Sequence, residues 1–269
     1  MRFPGRLVLL GHPVSHSLSP RMQNAALDSA GIALRYEALD VEPRLFDQTI
    51  ERLRAENAAG NVTVPHKERM RVACDSLTPL AEHVGAVNTF FVDDEGRLVG
   101  DNTDVGGFAA AVTSTLGSAP VDCTVGVLGA GGAAAAVLAA VESWPGVVAH
   151  VYNRTPERAS ILCERFRSVA RAVDDIGAIG GAQLVVNATS VGLHDEAMPI
   201  DLALLSPGSA VVDLVYRPGE TAWVRAARSR GHRASDGLTM LVEQGALAFE
   251  RWFGVPADRR AMWEAVRTV

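Results

Sequence analysis

The stretch from Thr124 to Val137, TVGVLGAGGAAAAV, constrains this chain more than any other. The apolar run Val125 to Leu128 stops at Gly129-Ala130-Gly131-Gly132, and an alanine-rich run that favours helix follows at once. That order predicts a strand, a tight glycine turn and a helix. Gly129, Gly131 and Ala134 sit at the spacing of the dinucleotide fingerprint GxGxx(G/A), in which glycines let the backbone approach a pyrophosphate at a helix N-terminus. The same glycine-alanine run can equally be a close-packed helix with no ligand.

The residues that follow bear on that choice. A second apolar run, Val147 to Tyr152, ends in Asn153-Arg154-Thr155, where such folds place the group that reads the adenosine ribose. An NAD site usually carries Asp or Glu there, whereas this chain has Arg154 and Arg158, with no carboxylate before Glu157. The guanidinium groups point to NADP. The run is also a helix start, with Thr155 as its N-cap and Pro156 at the first helical position, and both readings can hold together.

With 269 residues, 48% of them hydrophobic, the chain suits one large or two modest domains with ample core. A net charge of -6 argues against a nucleic-acid or anionic-membrane surface. Cys74, Cys123 and Cys163 have no CxxC or zinc spacing and read as reduced core residues of a cytoplasmic protein. The apolar run Leu7 to Leu10 is too short for a signal peptide, and no stretch approaches the length of a membrane helix.

Before the glycine turn, Leu7 to Leu10 reads as a buried strand entering the loop GHPVSHSLSP, with Ser15, Ser17 and Ser19. Ser19-Pro20 opens a helix that Gly31 ends. The hydroxyls could hold a small carboxylate there; alternatively one serine caps the helix and the others bond the loop. Arg35 to Val41 alternates as a strand, and Pro43 to Arg54 has helical spacing. In NVTVPHK, Asn61 to Val64 reads as a short strand stopped by Pro65, and Lys67 stands at a helix start, where the dipole disfavours a cation. His66 reads as structural or exposed. Ala86 to Val92 and Arg97 to Gly100 read as a hairpin leading into GDNTDVGGF, where Asp104 reads as the N-cap of a helix to Leu116. Beyond Arg158, a helix to about Phe166 and strands at Leu184 to Val186 and Ala210 to Val215 continue the alternation. Asp236-Gly237 opens a long helix, Leu238 to Phe253, which carries Gln244, and a last helix follows Pro256.

Taken together, GHPVSHSLSP, NVTVPHK, GAVNT, GDNTD, GAGGAAAAV, NRT, NATSVGL, DLVY and DGLTMLVEQGALAF, in that order over nearly the whole chain, resemble the shikimate dehydrogenase family. The resemblance implies an α/β protein of two domains. Residues 1–103 would form an α/β substrate domain and 104–236 a Rossmann-type NADP-binding domain, with helices in 237–269 returning to the first. It implies NADPH-dependent reduction of 3-dehydroshikimate to shikimate in aromatic amino-acid biosynthesis, by a monomer or homodimer and without a metal. Lys67 and Asp104 would be the catalytic pair. Ser17 and Ser19 would hold the substrate carboxylate, Tyr216 would reach that side, and Thr63, Lys67, Asn88, Asp104 and Gln244 would bind the hydroxyls. Gly129, Ala130, Gly131, Gly132 and Ala133 would bind the pyrophosphate, Asn153, Arg154, Thr155 and Arg158 the 2′-phosphate, and Thr189 and Gly237 would complete the cofactor site. Val105 and Ala135 depart from the Gly and Arg of many members, and Ala135 removes a basic group near the cofactor loop.

Three alternatives remain on the residues. A quinate/shikimate dehydrogenase of broader specificity would accept an extra hydroxyl and often NAD. A methylene-tetrahydrofolate dehydrogenase would not explain the serine loop. A non-catalytic NADP sensor would need neither Lys67 nor Asp104.

Overall fold

Helices and strands alternate along the chain and build two separate sheets, seen in a computed structural model that describes residues 3–267. Residues 1–2 and 268–269, the outer ends of the expected first and third segments, lie outside the described residues. The chain divides into two compact units: the first runs to Asp104 and resumes at Leu241, and the second is Val105–Met240.

The first unit opens with β1 (Arg6–Gly11), α1 (Ser19–Ser29) and β2 (Tyr36–Asp40), then α2 (Phe46–Ala55), β3 (Ala58–Val62) and α3 (Lys67–Ala73). β4 (Ser76–Leu77), α4 (Pro79–Val84), β5 (Thr89–Val92) and β6 (Leu98–Asp101) complete it up to Asp104. The sheet order is β2-β1-β3-β5-β6-β4. β1, nearly all apolar, is buried between parallel neighbours β2 and β3, while β5 and β6 form the expected antiparallel hairpin. Asp93 sets its turn by accepting bonds from the amides of Glu95 and Arg97. Phe46, Ile50 and Leu53 of α2 recur at helical spacing and bury one face against Val8, Leu10 and Val62. Each contributes about 1.5–3 kcal/mol.

The strand expected at 61–64 lies earlier, at β3. Ala58, Ala59 and Gly60 have low strand propensity but pair with β1 and are buried, and after Val62 the chain turns as His66 N bonds the carbonyl of Thr63.

The second unit holds α5 (Asp104–Leu116, which begins in the first unit), β7 (Thr124–Leu128), α6 (Gly132–Val141), β8 (Val148–Tyr152), α7 (Pro156–Arg165) and β9 (Ala170–Ala172). α8 (Gly177–Gly180), β10 (Leu184–Asn187), β11 (Ala210–Asp213), α9 (Ala222–Ser229) and β12 (Arg233–Ser235) follow. All its strands are parallel, in the order β12-β11-β10-β7-β8-β9, the doubly wound arrangement in which ligands bind beyond the strand ends where the winding reverses, here between β7 and β10. β9 and β12 escape sequence reading because each spans three residues at a sheet edge and has no continuous apolar run.

α10 (Leu238–Phe253) and α11 (Arg259–Arg267) carry the chain back into the first unit. There Gln23 Nε2 donates to the carbonyl of Gly245, Trp252 stacks on Tyr36, and Ser29 Oγ bonds Asp258. Among the described residues, no helix is long and apolar enough to cross a membrane.

Candidate active site

In the first unit, strand ends and helix starts bring four of the expected residues into one bonded cluster. Lys67 opens α3, where its carbonyl accepts from Val87 N and the preceding His66 is anchored through Nε2 to the carbonyl of Val41 at 2.6 Å. His66 is buried beside the Phe46 ring, so it is structural. The cation that the helix dipole disfavours is matched by a carboxylate: Lys67 Nζ donates to Asp104 Oδ2 at 2.6 Å. Their side chains are 17% and 6% exposed, so the pair is sheltered yet open at the lysine.

Asp104 begins α5, but capping does not explain its carboxylate. One oxygen faces Lys67, the other accepts from Asn88 Nδ2 at 2.8 Å, and Asn102 Oδ1 holds the Asp104 amide at 3.1 Å. Asn88 is oriented by the amide of Thr103, which donates to its Oδ1 at 2.7 Å, so its NH₂ group must face Asp104 and Gln244 Oε1. Gln244, on α10, donates through Nε2 to the carbonyl of Leu241. The cluster therefore combines an ammonium donor with oriented amides, and can hold hydroxyls while handing a proton to an oxygen.

Two loops lie side by side at the ends of β1 and β3. His12 N bonds the carbonyl of Val64, and a Cβ at Gly11 would collide with Thr63 and Val14, so only glycine permits this approach. Ser17 Oγ accepts from the amide of Ser19 at 3.2 Å, so Ser17 supports the helix start. α1 has no side-chain cap, which corrects the alternative that one serine caps it; Ser19 is buried at the first helical residue.

In the second unit the glycine turn has the expected form. Gly129 has φ +115, a conformation that disfavours a side chain, and its amide bonds the carbonyl of Tyr152. Gly131 is the N-cap of α6; no side chain caps this helix, and a Cβ at Gly131 would meet nothing within 4 Å. Open, uncapped amides at a helix start fit a pyrophosphate. Ala130 lies in the turn, and Gly132 and Ala133 are the first two residues of α6. Asn153 Nδ2 bonds the carbonyl of Thr155, which is the N-cap residue of α7 ahead of Pro156 as expected, although its hydroxyl makes no cap bond. Arg154 and Arg158 are exposed, and neither guanidinium has a hydrogen bond or ion pair among the described residues, an arrangement that suits a phosphate. Ala135 is buried in α6 as a packing residue, which fits its departure from arginine, and Val105 is half-buried near the start of α5.

Thr189 follows β10 and bonds Asn187 Oδ1 through both its amide and its hydroxyl. A Cβ at Gly237 would collide with the carbonyl of Leu214, and its amide bonds that of Val215, so close backbone packing requires glycine there. Tyr216 follows β11 and is half-buried. The three cysteines are free; burial pushes the Cys74 thiol up to about 12 and Cys163 to about 11, values that suppress their nucleophilic thiolates.

Sequence reading assigned no role to Thr103 or Asn102, although both lie within GDNTD, and none to Asn61 or Tyr36. Asn61 Nδ2 donates to the carbonyl of Asn88, and Tyr36 OH donates to Asn61 Oδ1. An asparagine within an apolar strand is the available signal, since a buried amide needs partners. Arg251 of α10 pairs with buried Asp101 at 2.7 Å, and Thr78 donates to the other Asp101 oxygen, contacts that no local pattern foretells.

Residues 9–90 match the shikimate dehydrogenase substrate binding domain, and residues 237–267 match the shikimate 5′-dehydrogenase C-terminal domain. A shikimate dehydrogenase (NADP+) of Thermus thermophilus is 44% identical, covering 97% of each chain. The crystal structure of shikimate 5-dehydrogenase from a second strain of Thermus thermophilus, in complex with NADP(H) and shikimate, aligns with a TM-score of 0.89 at 43% identity over 97% of this chain and 98% of that one. Quinate dehydrogenase from Corynebacterium glutamicum in complex with NAD aligns with a TM-score of 0.87 at 29% identity over 98% of both.

Proposed function

The chain belongs to the shikimate dehydrogenase family, and from that premise we infer that it is an NADP-dependent oxidoreductase interconverting 3-dehydroshikimate and shikimate. Residues 1–103 and 237–269 would hold the substrate and 104–236 the cofactor, in a cytoplasmic monomer or homodimer. The observation that carries the reading is the 2.6 Å contact of Lys67 with Asp104 inside an amide network, because ketone reduction needs a proton donor beside the oxygen that gains charge.

When bound, NADPH would supply the hydride. Lys67 Nζ donates a proton to the carbonyl oxygen, and its partial exposure leaves a route for reprotonation from solvent. Asp104 holds the ammonium in place and accepts a bond from a substrate hydroxyl, with Asn88, Thr63 and Gln244 orienting the ring. Ser17 and Ser19 hold the carboxylate, with Tyr216 on the same side. The glycine turn would hold the pyrophosphate, with Thr189 and Gly237 beside it, and Arg154 and Arg158, with Asn153 and Thr155, would receive the 2′-phosphate.

Likeness to the quinate dehydrogenase supports a second reading, a broader quinate/shikimate enzyme. Ser19 favours shikimate, since a site that leaves an added hydroxyl unpaired rejects it. Oxidation of shikimate and of quinate, each with NADP and NAD, tests both: the expected result is a strong preference for shikimate with NADP. Comparable kcat/KM for quinate would establish the broader reading, and no shikimate oxidation would overturn both.

A further inference from the structure

Asp213 ends β11 and is 1% exposed, yet no cation pairs with it among the described residues. Its Oδ1 accepts from Asn187 Nδ2 at 2.8 Å and Val215 N at 3.1 Å, and its Oδ2 accepts from Thr221 Oγ1 at 2.8 Å. Asn187 is its register partner on β10. A carboxylate only accepts hydrogen bonds, so, with the carbonyl of Val191, which accepts from the same Nδ2 at 3.1 Å, it turns the Asn187 NH₂ group toward itself and the amide oxygen the other way. That oxygen accepts from the hydroxyl of Thr189 at 2.6 Å and from its amide at 3.1 Å. The loop so held lies against the glycine turn: a Cβ built on Gly129 would be 2.8 Å from the Ala188 carbonyl oxygen and 3.1 Å from Thr189 Cγ2. Removing a carboxylate from water without a counter-charge costs stability, which a packing role alone does not require.

We propose that Asp213 is a positioning residue for NADP, fixing the Asn187 amide and through it the loop at Thr189 that packs against the glycine turn. This rests on the NADP reading above. Burial, with a smaller contribution from the nearby charge of Asp236, pushes the Asp213 carboxyl up to about 6 against the bonds from Thr221, Val215 and Asn187. Arg228 of α9 is the cation whose charge acts on Asp236. A raised carboxyl binds its proton more tightly folded than unfolded, so acidification from pH 7.5 toward 5 adds to stability through this group. The same proton turns one of the two oxygens from acceptor to donor, against the groups that donate to it, so cofactor affinity falls where stability does not.

Calorimetric titration of NADP into wild type and Asp213→Leu, which removes every acceptor, at pH 7.5, with thermal unfolding of both without cofactor, tests this. The expected result is roughly tenfold weaker NADP binding by a variant that still unfolds cooperatively, the scale of one or two lost hydrogen bonds. Should the variant not fold, wild type decides alone: its Kd for ADP-ribose, which lacks the titrating 2′-phosphate, should rise at least threefold between pH 7.5 and 5.5. A folded variant binding NADP within twofold of wild type, or in its absence a flat ADP-ribose profile, overturns the proposal while leaving the NADP reading intact. Wild type that does not bind NADP overturns both.

Discussion

Replacing Lys67 with Met keeps the length and apolar stem of the side chain and removes its ammonium. Asp104 then loses the 2.6 Å donor to Oδ2 and keeps Asn88 Nδ2 at Oδ1. A positioned acid or base contributes about 10²–10⁴ to rate, or about 2.7–5.4 kcal/mol at ~1.36 kcal/mol per tenfold. kcat should fall by that factor, with much less change in KM, because Asn88, Thr63 and Gln244 still hold the substrate. The carboxylate left behind destabilises the fold by about 1–3 kcal/mol, below the figure for a fully buried broken pair, because the lysine side chain is 17% exposed and water can replace it. Steady-state shikimate oxidation with NADP should be measured for Lys67→Met, Asp104→Asn and the double variant. Two groups acting as one unit lose nearly everything at the first substitution, so the double variant should fall little below the worse single one. Near-full kcat for Lys67→Met, or losses that multiply, would refute the assignment.

Arg154→Ala should weaken NADP by about ten- to a hundredfold, since a bond to a charged group contributes roughly 1.5–3 kcal/mol, and barely alter NAD. Equal losses for both cofactors in a titration would show that the arginine only decorates α7. Gly129→Ala places a Cβ at φ +115 and 2.8 Å from the Ala188 carbonyl, so it should cost about 1–3 kcal/mol of stability and at least tenfold in NADP affinity. Wild-type melting and binding in that variant would remove the glycine turn from the cofactor site.

What could be read along the chain was set by local chemistry. The apolar run, glycine turn and alanine-rich helix at 124–137 report backbone preferences carried by neighbouring residues, and β7, α6 and the positive φ of Gly129 follow from them. The ordered motifs likewise identified the family, and Lys67 could be singled out because a cation at a helix start conflicts with the dipole. Bonds between residues far apart in sequence were decided only by folding. Asp104 had an adequate local explanation as a cap until α3 brought Lys67 to its carboxylate. Small residues of low strand propensity became β3 because β1 supplied the partner. The Asp101–Arg251 pair and the chain from Asp213 through Asn187 to Thr189 have no periodicity to betray them. A buried polar side chain reveals its need for partners in sequence, but which partner meets it depends on sheet register and helix packing, and those exist only in the folded chain.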